Sequence, residues 1–250
     1  MTPFGVREIV SQVGGAESVL DAGCGSARLT LALAEAGADE VVGIDTSSER
    51  LAQGRQRIAE AGATDRVSLL ECDFNAPLPF DDRRFGAVTS RLSLMIAGDP
   101  SATLRELGRV TVPGGPVVTA LWAPTSENPW FALPREAAAA VLGAGRADYA
   151  RAFGRLGDPA EASAAHAAAG LTGARAEILV EHLELPDAAA LWAWLAAENG
   201  HVRRLDAELS DDERAAVLRD LAARTAPYRT AEGGLRLPRT MTLVVAHAPA

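Results

Sequence analysis

Val19-Leu-Asp-Ala-Gly-Cys-Gly-Ser-Ala27 joins a short apolar run to two close glycines, and a helix-like pattern follows from Leu29 to Ala36. Apolar residues ending in Asp21-Ala22 read as a buried parallel strand. Gly23 and Gly25 permit a tight turn and remove the Cβ from the path of a ligand. The helix that follows would aim unpaired N–H groups at the same corner. Two glycines alone are equally compatible with an ordinary strand-to-helix turn, so the neighbouring strand ends have to decide.

Outward from this turn, the N-terminal side has helical spacing over Phe4–Val13, closed by Gly14-Gly15. On the C-terminal side a helix is expected from Ser26 to Ala36, a strand at Val41–Ile44 and a helix capped by Ser47-Ser48 and running to Ala61. Further strands are expected at Val67–Glu71, Phe85–Thr89 and Val117–Trp122, with a helix at Ala102–Val110. Alternation of strand and helix predicts a doubly wound, mostly parallel α/β sheet. After Trp122 the rhythm changes. Trp130–Tyr149 and Arg151–Gly157 read as helical, Ala160–Ala169 as an amphipathic helix and Arg175–Leu185 as a long strand. A helical stretch over Asp187–Ala226 opens a further helix at Ser210-Asp-Asp-Glu213, and Thr240–Ala246 is a last apolar strand. The whole reads as one domain over 1–250, a seven-stranded Rossmann-like sheet with an antiparallel last strand and helical cap insertions at 123–157 and 186–232.

Composition narrows the chemistry. The 250-residue chain carries a formal charge of −9, which disfavours nonspecific attraction to nucleic-acid phosphates. Every basic residue is arginine, so lysine Schiff-base catalysis and the GK[ST] phosphate loop are both excluded. The two cysteines, Cys24 and Cys72, form neither a disulfide framework nor a CxxC pair, and no metal site is expected. There is no apolar run of membrane-spanning length and no secretory start, so a cytoplasmic protein without membrane contact is expected.

In a sheet of this class ligands bind outside the carboxyl ends of the strands. Those ends carry Asp21-Ala-Gly-Cys-Gly25, Asp45, Cys72-Asp73-Phe74 and Ser90-Arg91. A carboxylate 22 positions after Gly23 suits a ribose diol, because it accepts two hydrogen bonds. Asp73 can accept from an exocyclic amine and Phe74 can lie against a purine, so the set describes an adenosine. A dinucleotide dehydrogenase needs a third glycine where Arg28 stands.

On these residues the chain resembles the class I methyltransferases that use S-adenosylmethionine (SAM). VLDAGCGSARLTLAL (19–33), VVGIDTS (41–47) and ECDFNAPLPF (71–80) resemble that family's first three motifs, and RVTVPGG (109–115) its turn before strand five. SRLSLMIAGDP (90–100), ALWAPTSENPW (120–130) and APYRTAEGGLRLP (226–238) are similar to a bacterial small-molecule subgroup related to ubiquinone and menaquinone methyltransferases. The resemblance implies SAM as cofactor, with S-adenosylhomocysteine as product. Gly23, Cys24 and Gly25 would pass the methionine part, with Asp21 supporting the turn, and Asp45 would hold the ribose. Asp73 would receive the adenine amine, Phe74 would offer its backbone N–H, Thr46 would pack beside the ring, and the Ser90 carbonyl would face the amino group. The subgroup has aspartate where Gly86 stands, a basic residue where Val112 stands and a longer N-terminal arm.

The reaction expected is methyl transfer to an oxygen, nitrogen or carbon of a small, partly apolar metabolite in bacterial secondary metabolism. Trp130, Phe131, Trp192 and Trp194 would line an apolar acceptor chamber. Of His166, His182, His201 and His247, His201 is the candidate general base, while His166 is placed on a surface helix. Arg91 would orient an acidic acceptor or form an ion pair. Two other readings keep the same cofactor: a non-transfer reaction such as cyclisation, and a ligand-binding protein without catalysis. The oligomeric state is left open.

Overall fold

A computed structural model of the protein describes residues 3–13, 15–147 and 153–250. In chain order the elements are α1 (Val6–Val13), β1 (Ser18–Ala22), α2 (Arg28–Glu35), β2 (Glu40–Asp45), α3 (Ser48–Glu60), β3 (Val67–Glu71), β4 (Ala87–Arg91), α4 (Pro100–Val110) and β5 (Pro116–Trp122). They continue as α5 (Pro129–Leu142), α6 (Pro159–Ala168), β6 (Thr172–Leu185), α7 (Ala188–Glu198), α8 (Gly200–Glu208), α9 (Asp211–Arg224) and β7 (Leu235–His247). The strands form one seven-stranded sheet in the order β3-β2-β1-β4-β5-β7-β6. β1 to β5 pair in parallel and β7 runs antiparallel to β5. The doubly wound α/β expectation therefore holds, with the order reversing between β1 and β4, where such sheets open a crevice.

The chain divides into two compact units. One comprises residues 1–123, 154–179 and 241–250, and the other 124–153 and 180–240. The boundaries differ from the expected insertions because the distal parts of the long strands β6 and β7 go with the helices. In the first unit the core gathers Leu20 and Ala22 of β1, Val88 of β4, Val117 and Leu121 of β5, and Leu104 and Leu107 of α4. The pairing of β4 with β1 starts at Ala87, so the strand runs to Arg91 and Phe85 makes only a single bridge to Thr111. Glycine stands at 86 for a local reason. A Cβ there would lie 3.3 Å from both the Ala16 Cβ and the Ser18 carbonyl oxygen, and the Ser18 hydroxyl takes the Gly86 N–H.

Three expectations need correction in this unit. α2 begins at Arg28 rather than Ser26, because Ala27 takes the left-handed conformation (φ 60°) and its N–H returns to the Cys24 carbonyl. Residues 153–156 are turn rather than helix, since Gly154 and Leu156 both have positive φ, and Gly157 lies against the Trp122 carbonyl. Gly14, Tyr149 and Arg151, on which parts of the helical expectations fall, lie outside the described residues. His166 is fully buried, not on a solvated face. Its Nδ1–H donates to the Ala162 carbonyl, which leaves Nε2 to accept from the Thr119 hydroxyl at 2.9 Å. Burial lowers its pKa, consistent with a neutral ring tying α6 to β5.

In the second unit α5 packs on α9, and α7 on α8. α9 opens with the expected capping box, Ser210 and Glu213 each taking the other's backbone N–H. Asn128 acts as a side-chain rung, accepting the Thr240 N–H at 2.9 Å and donating to the Thr240 carbonyl. The Arg239 guanidinium lies 5.5 Å from the Trp130 ring and 5.3 Å from the Trp194 ring, and bonds Glu181 at 2.7 Å. Removing it leaves a carboxylate without its partner and strips two rings of their cation. Arg239→Ala is expected to destabilise this unit by about 2–3 kcal/mol, read as an earlier tryptophan-fluorescence transition in urea.

Candidate functional site

The residues after β1 form a turn whose backbone groups are almost all spoken for. The N–H groups of Gly23 and Cys24 both reach the Ile44 carbonyl of β2, at 2.8 and 2.9 Å. The Ala22 carbonyl takes the Ser93 hydroxyl at 2.8 Å, and the Gly25 N–H goes to Asp45 Oδ2 at 2.9 Å. Arg57 of α3 holds the Ser26 carbonyl. Among the described residues no donor bonds the Gly23 carbonyl. The carbonyls of Ala22, Cys24 and Ser26 are thus engaged, and that of Gly23 is left as an acceptor in this turn.

The two glycines of this turn do different work. Gly23 has φ +76°, and a Cβ there would sit 2.3 Å from the Ser93 Cβ and Oγ and 3.4 Å from Phe74 Cε1. Its missing side chain makes room for protein, not for a ligand. At Gly25, with φ +54°, the nearest atom to a Cβ is Arg50 Cδ at 3.9 Å, so that position is open. Cys24 is buried and packs against Gly43 of β2, where an added Cβ would meet its Sγ at 3.0 Å. Burial, and then the charges of Asp21 and Asp45, push its thiol pKa far up, so it is no nucleophile.

Asp21 is almost wholly buried and supports the turn from beneath. Its carboxylate accepts from Thr30 of α2 at 2.7 Å and from Thr89 of β4 at 3.2 Å. Burial raises its pKa to about 6, and the two hydroxyls and the Arg91 charge only partly offset this. The folded value lies above the ordinary 3.8, so the folded state binds this proton more tightly. The stabilisation is complete below pH 3.8 and is lost as pH rises through about 6. Stability is expected to fall by about 3 kcal/mol across that window, and Asp21→Asn is expected to flatten the fall in urea titrations at successive pH values.

Asp45, 9% exposed, accepts the Gly25 N–H with Oδ2 and the Ser47 N–H with Oδ1. Each oxygen keeps a second lone pair, so the carboxylate is pre-oriented and still able to accept two donors. Asp73 is exposed, and its Oδ1 takes both the backbone and side-chain N–H groups of Asn75 while Oδ2 has no partner among the described residues. Thr46 is exposed beside Asp45. The Phe74 ring is buried in the core, which leaves its backbone N–H for the role the resemblance implies. The Ser90 hydroxyl donates to Ser93 Oγ at 2.7 Å, because the Ser93 proton is engaged by the Ala22 carbonyl. Ser90 itself lies in β4 opposite Thr119 of β5.

Arg91 donates from Nε to the Phe4 carbonyl of the N-terminal arm at 2.9 Å, and its charge acts on Asp21. His201 lies in the second unit, exposed on the first turn of α8. Its Nδ1 accepts from Arg204 at 2.9 Å, which puts the ring proton of the neutral form on Nε2 and sets the ring as a donor. The four aromatic residues expected around an acceptor have partners inside their own unit. Trp130 and Phe131 are buried, Trp192 donates to Asp206 at 2.6 Å, and Trp194 lies against Trp130. Among the described residues no cluster of His, Cys, Asp or Glu suits a metal ion, and no helix is long and apolar enough to cross a membrane.

Thr30, Thr89, Ser93 and Arg57 were not singled out in the sequence. One signal was present: Thr30 interrupts the apolar face of α2 between Leu29 and Leu33, where a polar side chain needs a buried partner.

Residues 19–115, from β1 to the turn before β5, match the family model of the methyltransferase domain. That stretch, less than half of the chain, is similar to the methyltransferase domain. A demethylmenaquinone methyltransferase of Shouchella clausii is 41% identical over 103 residues, covering 40% of this chain and 43% of that relative, less than half its length. YcgJ of Bacillus subtilis has the same fold, with TM-score 0.66, 16% identity and 98% of each chain covered. The [4+2]-cyclase SpnF also shares the fold, at TM-score 0.57 and 21% identity, covering 98% of this chain and 80% of that one. SAM is the methyl donor of this class of domain. The open space at Gly25, the bare Gly23 carbonyl and the pre-oriented Asp45 fit it.

Proposed function

We propose that the chain is a SAM-dependent methyltransferase acting on a small, partly apolar metabolite. The observation that carries this reading is the β1 turn, in which the Gly23 carbonyl is the outstanding acceptor, next to an open Gly25 and a buried Asp45 with free lone pairs. In this reading the Gly23 carbonyl accepts from the ammonium of the amino-acid tail and Asp45 holds the ribose hydroxyls. Asp73 Oδ2 takes the adenine amine, beside Thr46 and the Phe74 N–H, and the Ser90 carbonyl faces the amino group. Asp21 and Cys24 act beneath the turn.

Bound there, SAM supplies an electrophilic methyl on a sulfonium, which forms a bond to an acceptor lone pair as S-adenosylhomocysteine leaves. The chain contributes by holding the site in place and excluding water, the part of an in-line displacement that positioning accelerates. His201 takes a base role in this scheme only when Arg204 releases Nδ1. The acidic charge of −9 and the absence of a D/N-P-P-Y motif support a small acceptor over a nucleic acid. A setting in bacterial secondary metabolism belongs to the same proposal.

Incubation with methyl-labelled SAM and a panel of phenolic, amine and quinol acceptors tests it. Label in the product, matched by one S-adenosylhomocysteine per transfer, is expected. Conversion of an acceptor without S-adenosylhomocysteine release would instead favour a cyclase-type reaction, and binding without any conversion would favour a ligand-binding role.

A further inference from the structure

Ser93 lies in the loop after β4, three residues past Ser90, and carries none of the cofactor roles assigned above. It follows Leu92, which takes φ +60°, a conformation that is sterically costly for a residue with a Cβ and persists only where its surroundings hold it. Here the Leu92 N–H is held by the Ala120 carbonyl at 2.7 Å. The next side chain then reaches the β1 turn.

Its hydroxyl is buried and makes two bonds, donating to the Ala22 carbonyl and accepting from Ser90. The Ala22–Gly23 peptide is consequently gripped at both ends, its carbonyl by Ser93 and its N–H by the Ile44 carbonyl. That peptide directly precedes the bare Gly23 carbonyl. The Gly23 carbonyl belongs to the next peptide, whose Cys24 N–H is held by the same Ile44 carbonyl at 2.9 Å, so the two peptides are fixed together.

We propose that Ser93 is a cofactor-positioning residue: it locks the Ala22–Gly23 peptide so that the Gly23 carbonyl and the Gly25–Asp45 pair are presented together. The inference rests on the reading of the β1 turn as a SAM site. Ser93 fills the space that Gly23 leaves, so the two residues form one unit across the point where the strand order reverses. A hydroxyl there is expected to act on affinity for the amino-acid end of the ligand, with little effect on global stability, because the alanine side chain still occupies the same space.

Titration calorimetry with S-adenosylhomocysteine tests this on the full chain. Ser93→Ala is expected to weaken binding about tenfold, while the thermal midpoint of the free protein moves by only a few degrees. Hydrogen exchange at the Gly23 and Cys24 amides is expected to accelerate. Should the alanine variant fail to fold, Ser93→Cys retains a weak donor and is expected to bind with intermediate affinity. Unchanged affinity in Ser93→Ala, with native binding intact, overturns the inference alone. No binding by the native chain overturns the reading of the site and the inference together.

Discussion

Replacing Asp45 by alanine is expected to weaken S-adenosylhomocysteine binding about a hundredfold. Two charge-assisted hydrogen bonds to ribose hydroxyls are lost, each worth about 1.5 kcal/mol or more in a partly buried site. The same change strips the Gly25 and Ser47 N–H groups of their acceptor, so the turn itself loosens. Asparagine does not repair this. Its amide nitrogen would face one of those two N–H groups, donor against donor, so Asp45→Asn is expected to bind poorly as well. Calorimetric dissociation constants for the three proteins, with unfolding midpoints measured alongside, check the claim. Equal affinity in native and Asp45→Ala proteins would remove Asp45 from the site.

The second large effect separates two glycines that look alike in sequence. Gly23→Ala places a methyl 2.3 Å from Ser93 in a left-handed backbone, so either the loop after β4 moves or the turn distorts. A loss of about 2–4 kcal/mol in folding stability is expected, with affinity falling as a consequence. Gly25→Ala meets no atom closer than 3.9 Å. It is expected to cost only about 1–2 kcal/mol of stability from the left-handed backbone. Its methyl nevertheless occupies the open position, so ligand affinity is expected to fall by more than its folding stability predicts. Urea unfolding paired with calorimetry on both variants reads the contrast. Equal stability losses in the two would mean that Ser93 yields freely and that Gly23 is not a packing glycine.

Much of the first unit was legible because its strands end where the chemistry changes. β1, β2 and β3 are mainly apolar runs that end in or just before Asp21, Asp45 and Cys72-Asp73, and that punctuation puts the carboxylates at the same end of neighbouring parallel strands. The reason for each glycine was not legible. A glycine shows that a Cβ is unwelcome but not whether a ligand or a serine seventy residues away excludes it. His166 was misplaced because Ala-rich α6 has apolar residues on every face, so its buried side cannot be told from its solvated one. The unit boundaries were blurred by β6 and β7, each one continuous strand that serves both units, with no break in hydropathy at residues 179 or 240. The commitment of Arg91 to the Phe4 carbonyl, and of His201 to Arg204, depended on contacts that spacing does not encode.

The central claim is that the turn after β1, with Asp45 beside it, is built to hold SAM. Titrating the native chain with S-adenosylhomocysteine in a calorimeter tests it most directly. One site per chain with a dissociation constant in the micromolar range is predicted, and loss of that heat in Asp45→Ala. Absence of binding at millimolar ligand by a folded native chain would contradict it.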